Sequence, residues 1–172
     1  MAIYMNFNGN NPSGNVTAAG YENWIEVDSM SFGVGRSITM QAGAMSNREA
    51  SRPSISEVTV TKPLDAASGG LFKSSVTGDA GVKVEIHVVQ TGAEKVEKYA
   101  VYTLEEVIIS SYSISAAAGG APAESISLSF AKIEADLTHA DKTNKNTKNM
   151  KRTTRTTITI ITKKPQCQYI KI

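Results

Sequence analysis

From Val82 to Glu134 the sequence alternates apolar and polar residues with a period of two in four successive runs, with little sustained spacing of 3.6 anywhere in the body. The runs are VKVEIHVV, KYAVYTL, VIISSYSIS and SISLSFAKIE. In a strand, successive side chains point to opposite faces, so each run carries one apolar face that must be buried against another layer. The same pattern opens the chain: in AIYMNFN, Ile3, Met5 and Phe7 share one face. Between Tyr21 and Phe32 neither face is uniformly apolar, since Ile25 and Val27 lie opposite Trp24, Met30 and Phe32. Such a strand changes environment along its length. With SEVTVTK at Ser56–Lys62, these runs predict an all-β domain, a small, mainly antiparallel β-barrel of two sheets.

One short flanking α-helix is expected inside PLDAASGGLFKSSVTGDAG, with Asp65 or Ser68 as its N-cap, Phe72 and Val76 at i, i+4, and Gly78 as its stop. Gly69 and Gly70 each cost about 1 kcal/mol relative to Ala in a helix interior, so the helix should be short and begin near them. Gly33 to Pro53 is rich in small and polar residues and lacks clear periodicity. A loop of that length in a compact domain is usually disordered or serves as a binding surface.

The 172 residues fit one domain, and 41% hydrophobic content suffices for a core. No apolar run approaches the ~18 residues needed to span a bilayer, and MAIYMNFNGN has no secretory leader pattern, so neither a membrane span nor a cleaved signal peptide is expected. Cys167, the single cysteine, and two histidines give no disulfide and no zinc spacing, which fits a reducing compartment. The net charge of +2 conceals an asymmetry: residues 1–141 contain all 16 acids and a balance of about −7, whereas residues 142–172 contain 9 basic residues and no acid. Positive charge confined to a Thr/Asn/Lys-rich tail is not the folded basic face of a nucleic-acid-binding domain, so no nucleic acid is expected as a partner. The chain therefore divides into a β domain, 1–141, and a basic tail, 142–172, in which TTITIIT is a candidate closing strand.

Catalytic patterns are scarce. His87 sits mid-strand beside Lys83 and Glu85, on the face opposite Val84 and Ile86, where an exposed or interface side chain is expected. Glu134, Asp136, His139 and Asp141 are close in sequence and form the one grouping that could hold a metal or a hydrolase site, but no second cluster completes it. GVGR at 33–36 lacks the glycines and the following helix of a phosphate cradle. No cofactor is expected. The regular serines, Ser110, Ser111, Ser113, Ser115, Ser125, Ser127 and Ser129, are too many for one nucleophile. They read as the wet face of an antiparallel sheet, or as a polar, uncharged wall.

In order and spacing, MAIYMNF, WIEVDSMSFG, VTVTKPLDAASGGLFKS, VKVEIHV, YTLEEVIISSYSIS and ESISLSFAKIE resemble the Hcp (haemolysin-coregulated protein) family of bacterial type VI secretion systems over Met1 to Leu137. The resemblance implies a non-enzymatic structural subunit that forms hexameric rings. The rings stack into an inner tube, are expelled, and carry or stabilise effectors in the lumen. It implies as partners further copies of the chain, effectors, and the spike and sheath or baseplate components. The protein would be made in the bacterial cytoplasm and secreted through the apparatus. It points to Met30, Ser31 and Phe32 as lumen or cargo contacts, and to Arg36, Ser37, Ile38, Thr39, Met40 and Arg48 as ring-stacking loop residues. The acid-free tail departs from the family pattern. An unrelated all-β assembly or binding protein, of the phage tail-tube kind, is the alternative.

Overall fold

The structure is a computed structural model and describes residues 1–40, 48–50, 53–78, 81–91, 96–137, 156–161 and 170–171. In chain order the strands of the first half are β1 (Ala2–Phe7), β2 (Ile25–Val27), β3 (Ser29–Ser31), β4 (Val34–Gly35), β5 (Ile38–Met40), β6 (Arg48–Ala50), β7 (Ser54–Ile55) and β8 (Val58–Pro63). Helix α1 (Ser68–Thr77) follows, then β9 (Val82–Thr91), β10 (Val96–Ser115), β11 (Ala123–Ser129), β12 (Lys132–Leu137), β13 (Thr156–Ile161) and β14 (Ile170–Lys171). Among the described residues all pairings are antiparallel. The larger sheet runs β2–β1–β9–β10–β12–β13–β14 and the smaller β10–β11–β8–β3.

Two segments belong to both layers. The first part of β10 pairs with β9 and β12, and its last part, from Ile108, pairs with β11. The sequence presents these as two strands separated by Glu105 and Glu106, but they form one 20-residue strand. At that junction the register with β9 shifts between Leu104 and Val107, and Glu106 has φ 54°. A bulge of this kind bends a strand and raises its twist, which turns β10 from one sheet into the other. Gly81 makes room for it, since a Cβ there would lie 2.9 Å from the Glu106 Cα. At the opposite corner β2 and β3 are separate strands either side of Asp28, whose N–H bonds the Thr61 carbonyl at 2.8 Å. Consequently the two sheets pack face to face but do not close into the expected barrel.

The core lies between the sheets. Alternation puts Met5, Phe7, Val84, Ile86 and Leu104 from the larger sheet against Val58, Val60, Ile126 and Leu128 from the smaller, all at most 2% exposed. Each such side chain contributes on the order of 1.5–3 kcal/mol of burial free energy. Helix α1 stops as expected at Gly78, whose left-handed backbone (φ 64°) lets its N–H reach the Ser74 carbonyl. It begins at Ser68, directly before the two glycines, as expected, but its N-cap and its buried face differ from expectation. Neither Asp65 nor Ser68 is the N-cap; Ala67 occupies that position without a side-chain cap. Ser68 and Leu71 face inward, while Phe72 and Val76 are 55% and 71% exposed. The segment after Gly33 is ordered into strand pairs where it is described: Val34–Gly35 pairs with Ser54–Ile55, and Ile38–Met40 with Arg48–Ala50.

Candidate functional site

The outward face of the smaller sheet is a grid of hydroxyls. Because each strand alternates and the registers align, Ser113, Ser125, Thr61 and Ser29 form one row across four strands. Ser111, Ser127, Thr59 and Ser31 form the next. All eight are exposed or half-buried, and none is charged. Neighbours bond laterally: Ser29 Oγ lies 2.6 Å from Thr61 Oγ1, and Thr59 Oγ1 lies 3.4 Å from Ser127 Oγ. At the β10 shift, Ser110 Oγ donates to the Ser127 carbonyl at 3.2 Å and to Glu57 Oε2 at 2.7 Å. The larger sheet presents a different outward face, with Lys83 on Glu85 at 2.7 Å and Lys132 bridging Glu134 at 2.8 Å and Glu105 at 3.2 Å.

The lumen candidates divide between two faces. Ser31 belongs to the grid, whereas Met30 and Phe32 are half-buried against the core, with Phe32 edge-on to Tyr102 at 5.6 Å. Of the stacking candidates, Arg36 and Ser37 are exposed between β4 and β5, and Ile38, Thr39, Met40 and Arg48 lie within the β5–β6 pair, with Met40 opposite Arg48. Glu134 and Asp136 lie on β12, while His139, Asp141 and Cys167 are outside the described residues. Among the described residues no group of three or more His, Cys, Asp or Glu could hold a metal.

His87 is 5% exposed, contrary to expectation. It does lie on the outward face of β9, but the segment after β1 folds over that face and covers it with Tyr21 and Trp24.

The sequence reading also missed a buried ionic cluster at the foot of α1. Lys62 (0% exposed) is inward on β8, and its Nζ donates to Glu124 Oε2 at 2.7 Å, the Pro63 carbonyl at 2.8 Å and Ser68 Oγ at 3.1 Å, and pairs with Asp65 Oδ1 at 2.8 Å. Tyr112 donates to the other Glu124 oxygen at 2.7 Å. Burial works to raise the Glu124 carboxyl, but bonds from Lys62, Ser68 and Tyr112 and the lysine charge outweigh it and hold the group below the usual carboxylate range. Burial and the Glu124 contact push the Tyr112 phenol up to about 12. The cluster joins β8, β10, β11 and α1. Its signal was present in the alternation, since Lys62 continues the inward series Val58, Val60 and Glu124 begins the series Ile126, Leu128.

Among solved structures, one described as a type six secretion system protein is 26% identical, with a TM-score of 0.75 over 84% of this chain and 88% of its own. Hcp1 from Salmonella typhimurium is 22% identical, with a TM-score of 0.66 over 92% of this chain and 91% of its own. A type VI secretion system effector from Yersinia pestis is 19% identical, with a TM-score of 0.63 over 78% and 88% of the two chains. A search of curated protein sequences returned no match. The family model described as type VI secretion system effector, Hcp, matches residues 4–137, the span that holds both sheet faces, the buried ionic cluster and α1, and the chain belongs to the Hcp family of type VI secretion tube proteins.

Proposed function

We propose that the chain is a structural, non-enzymatic subunit that closes into six-membered rings, with the hydroxyl grid of the smaller sheet as the wall of the lumen. The observation that carries this reading is the pairing of a neutral, hydroxyl-lined face with two open edges. In the ladders among the described residues, β3 pairs only with β8 on its sheet, and residues 108–115 of β10 pair only with β11. Open edges invite strand pairing and are a liability in a monomer, but neighbours in a ring cover them. Apart from Glu57 beside Ser110, the grid is uncharged, and such a surface holds a passing protein through many weak hydrogen bonds and releases it readily. The β4–β7 and β5–β6 pairs, with Arg36 and Arg48, are assigned to contact with the next ring. On this reading the rings stack, are expelled through the type VI apparatus, and carry effectors inside.

Size-exclusion chromatography with light scattering tests the ring, for which six subunits are expected. A strictly monomeric protein at high concentration overturns the proposal. Ser31→Gln tests the wall by placing a longer amide in the grid while leaving the inward Met30 and Phe32 untouched. Ring mass should be unchanged and co-expressed effector yield altered. An unaltered yield beside an intact ring removes Ser31 from the cargo surface.

A further inference from the structure

The aromatic cover on the larger sheet has the construction of a separable clamp. Tyr21 is its hub: its ring centroid lies 4.9 Å from Tyr4, 5.0 Å from Trp24 and 5.6 Å from His87, and Trp24 closes on His87 at 4.7 Å. His87 Nδ1 lies 3.3 Å from the Tyr21 hydroxyl, a neutral partner. The covering segment holds its own shape through Gly14 N–H to the Asn23 carbonyl at 2.8 Å, Asn23 N–H to the Val16 carbonyl at 2.9 Å and Val16 N–H to the Trp24 carbonyl at 3.1 Å. Gly14 is required in that shape, because a Cβ there would collide with the Trp24 carbonyl oxygen. The segment is thus a small folded unit packed on the strands through rings around one histidine.

We propose that residues 13–24 form an acid-released clamp, in which protonation of His87 disrupts the Tyr4–Tyr21–Trp24 cluster and lifts the segment from the outward face of the larger sheet. The charged and titratable groups around His87 favour its neutral form. β10 brings Lys98 with its positive charge, and across the strand pair it offers only Val101. β1 offers the Tyr4 phenol, with Glu26 of β2 one strand further away. The clamp offers the Tyr21 phenol, while its Glu22 carboxylate is engaged by the Gly20 N–H. On β9 itself Glu85 is the one attractive charge, and it is paired with Lys83 at 2.7 Å. Burial, reinforced by Lys98 and only partly opposed by Glu85, takes the imidazole from 6.5 down to about 4. Protonation would place an imidazolium against the Tyr21 and Trp24 rings with no anion in contact among the described residues, and opening the clamp to water relieves that cost.

The chain contains its own reporter, because Trp24 is its only tryptophan and His139 is the only other histidine. Trp24 fluorescence and far-ultraviolet circular dichroism of the full chain, followed from pH 7.5 to 3.5, test the proposal. The expected result is a shift of Trp24 emission to that of the urea-unfolded chain between about pH 5 and 4 while the β signal is retained. In His87→Phe and His87→Gln that shift should be absent over the same range. Loss of the Trp24 and β signals together in the wild type overturns the proposal, as does an unchanged midpoint in either variant, which would assign the transition to groups other than His87. If neither variant folds, nuclear magnetic resonance titration of the two wild-type histidines decides. Midpoints for His87 and the Trp24 shift that coincide support the clamp, and a His87 that titrates while Trp24 emission is unchanged refutes it.

Discussion

Lys62 illustrates how much can depend on one side chain. Removing one partner from a buried ion pair strands the other and costs about 3–5 kcal/mol. Here the two directions are unequal. Lys62→Met leaves the carboxylates of Glu124 and Asp65 without their common cation, whereas Glu124→Gln leaves Lys62 paired with Asp65. Chemical denaturation should therefore show Lys62→Met as the more damaging change, with a loss in that range, and Glu124→Gln at roughly 1–3 kcal/mol. Both buried titratable sites make acid destabilising, in different windows. The folded state depresses Glu124, so its contribution is present above the ordinary carboxylate range and is lost as pH falls through its folded value. His87 is depressed from 6.5 to about 4, so its contribution is complete above 6.5 and is lost between those values. That loss amounts to ~3 kcal/mol. Replacing His87 with Phe should flatten the stability profile between pH 6.5 and 4 and leave the steeper fall below it.

Helix α1 shows where local propensity and packing diverge. Both of its glycines look equally costly in the sequence, but only one has a tertiary reason to be glycine. A Cβ on Gly69 would meet nothing within 4 Å, while one on Gly70 would lie 2.5 Å from the Pro12 Cβ. Gly69→Ala should thus stabilise the protein by up to about 1 kcal/mol, and Gly70→Ala should destabilise it despite the same gain in helix propensity. Thermal melts of the two variants, moving in opposite directions, check this. Period-two alternation assigned most strands of the body, because it reports which face a side chain takes, and it held the signal for the inward places of Lys62 and Glu124 without revealing that they meet. It could not report what lies over that face. His87 was correctly assigned to the outward side of β9, yet a loop distant in sequence buries it. Alternation also reads a bulge as a break, which is why β10 looked like two strands on either side of Glu105 and Glu106. The hydroxyl grid was visible as serine runs on β10 and β11, but its extension through Thr59, Thr61, Ser29 and Ser31 depends on strand pairing between distant segments, which periodicity does not contain.

The charge asymmetry of the chain meets its fold at β12. The family match ends at Leu137, at the end of that strand, and the next described residues, Thr156–Ile161 from the basic tail, return as β13 antiparallel to it. The register runs the full length of β12, from Lys132 opposite Ile161 to Leu137 opposite Thr156. Attachment of this kind rests on ladder hydrogen bonds, whereas a polycationic tail held on an acidic body by charge alone would be screened over about 8–10 Å at physiological salt. Amide exchange therefore separates the two. Protection of Thr156–Ile161 should be the same in 50 mM and 500 mM salt, and protection confined to low salt would show that electrostatics holds the tail. Deleting residues 156–172 should uncover the six-residue edge of β12, lower stability, and promote association through that edge. Light scattering at rising concentration is the measurement. Retention of wild-type stability and mass by the truncated chain would mean that β12 does not need its neighbour, and that the larger sheet ends, in energetic terms, where the family match does.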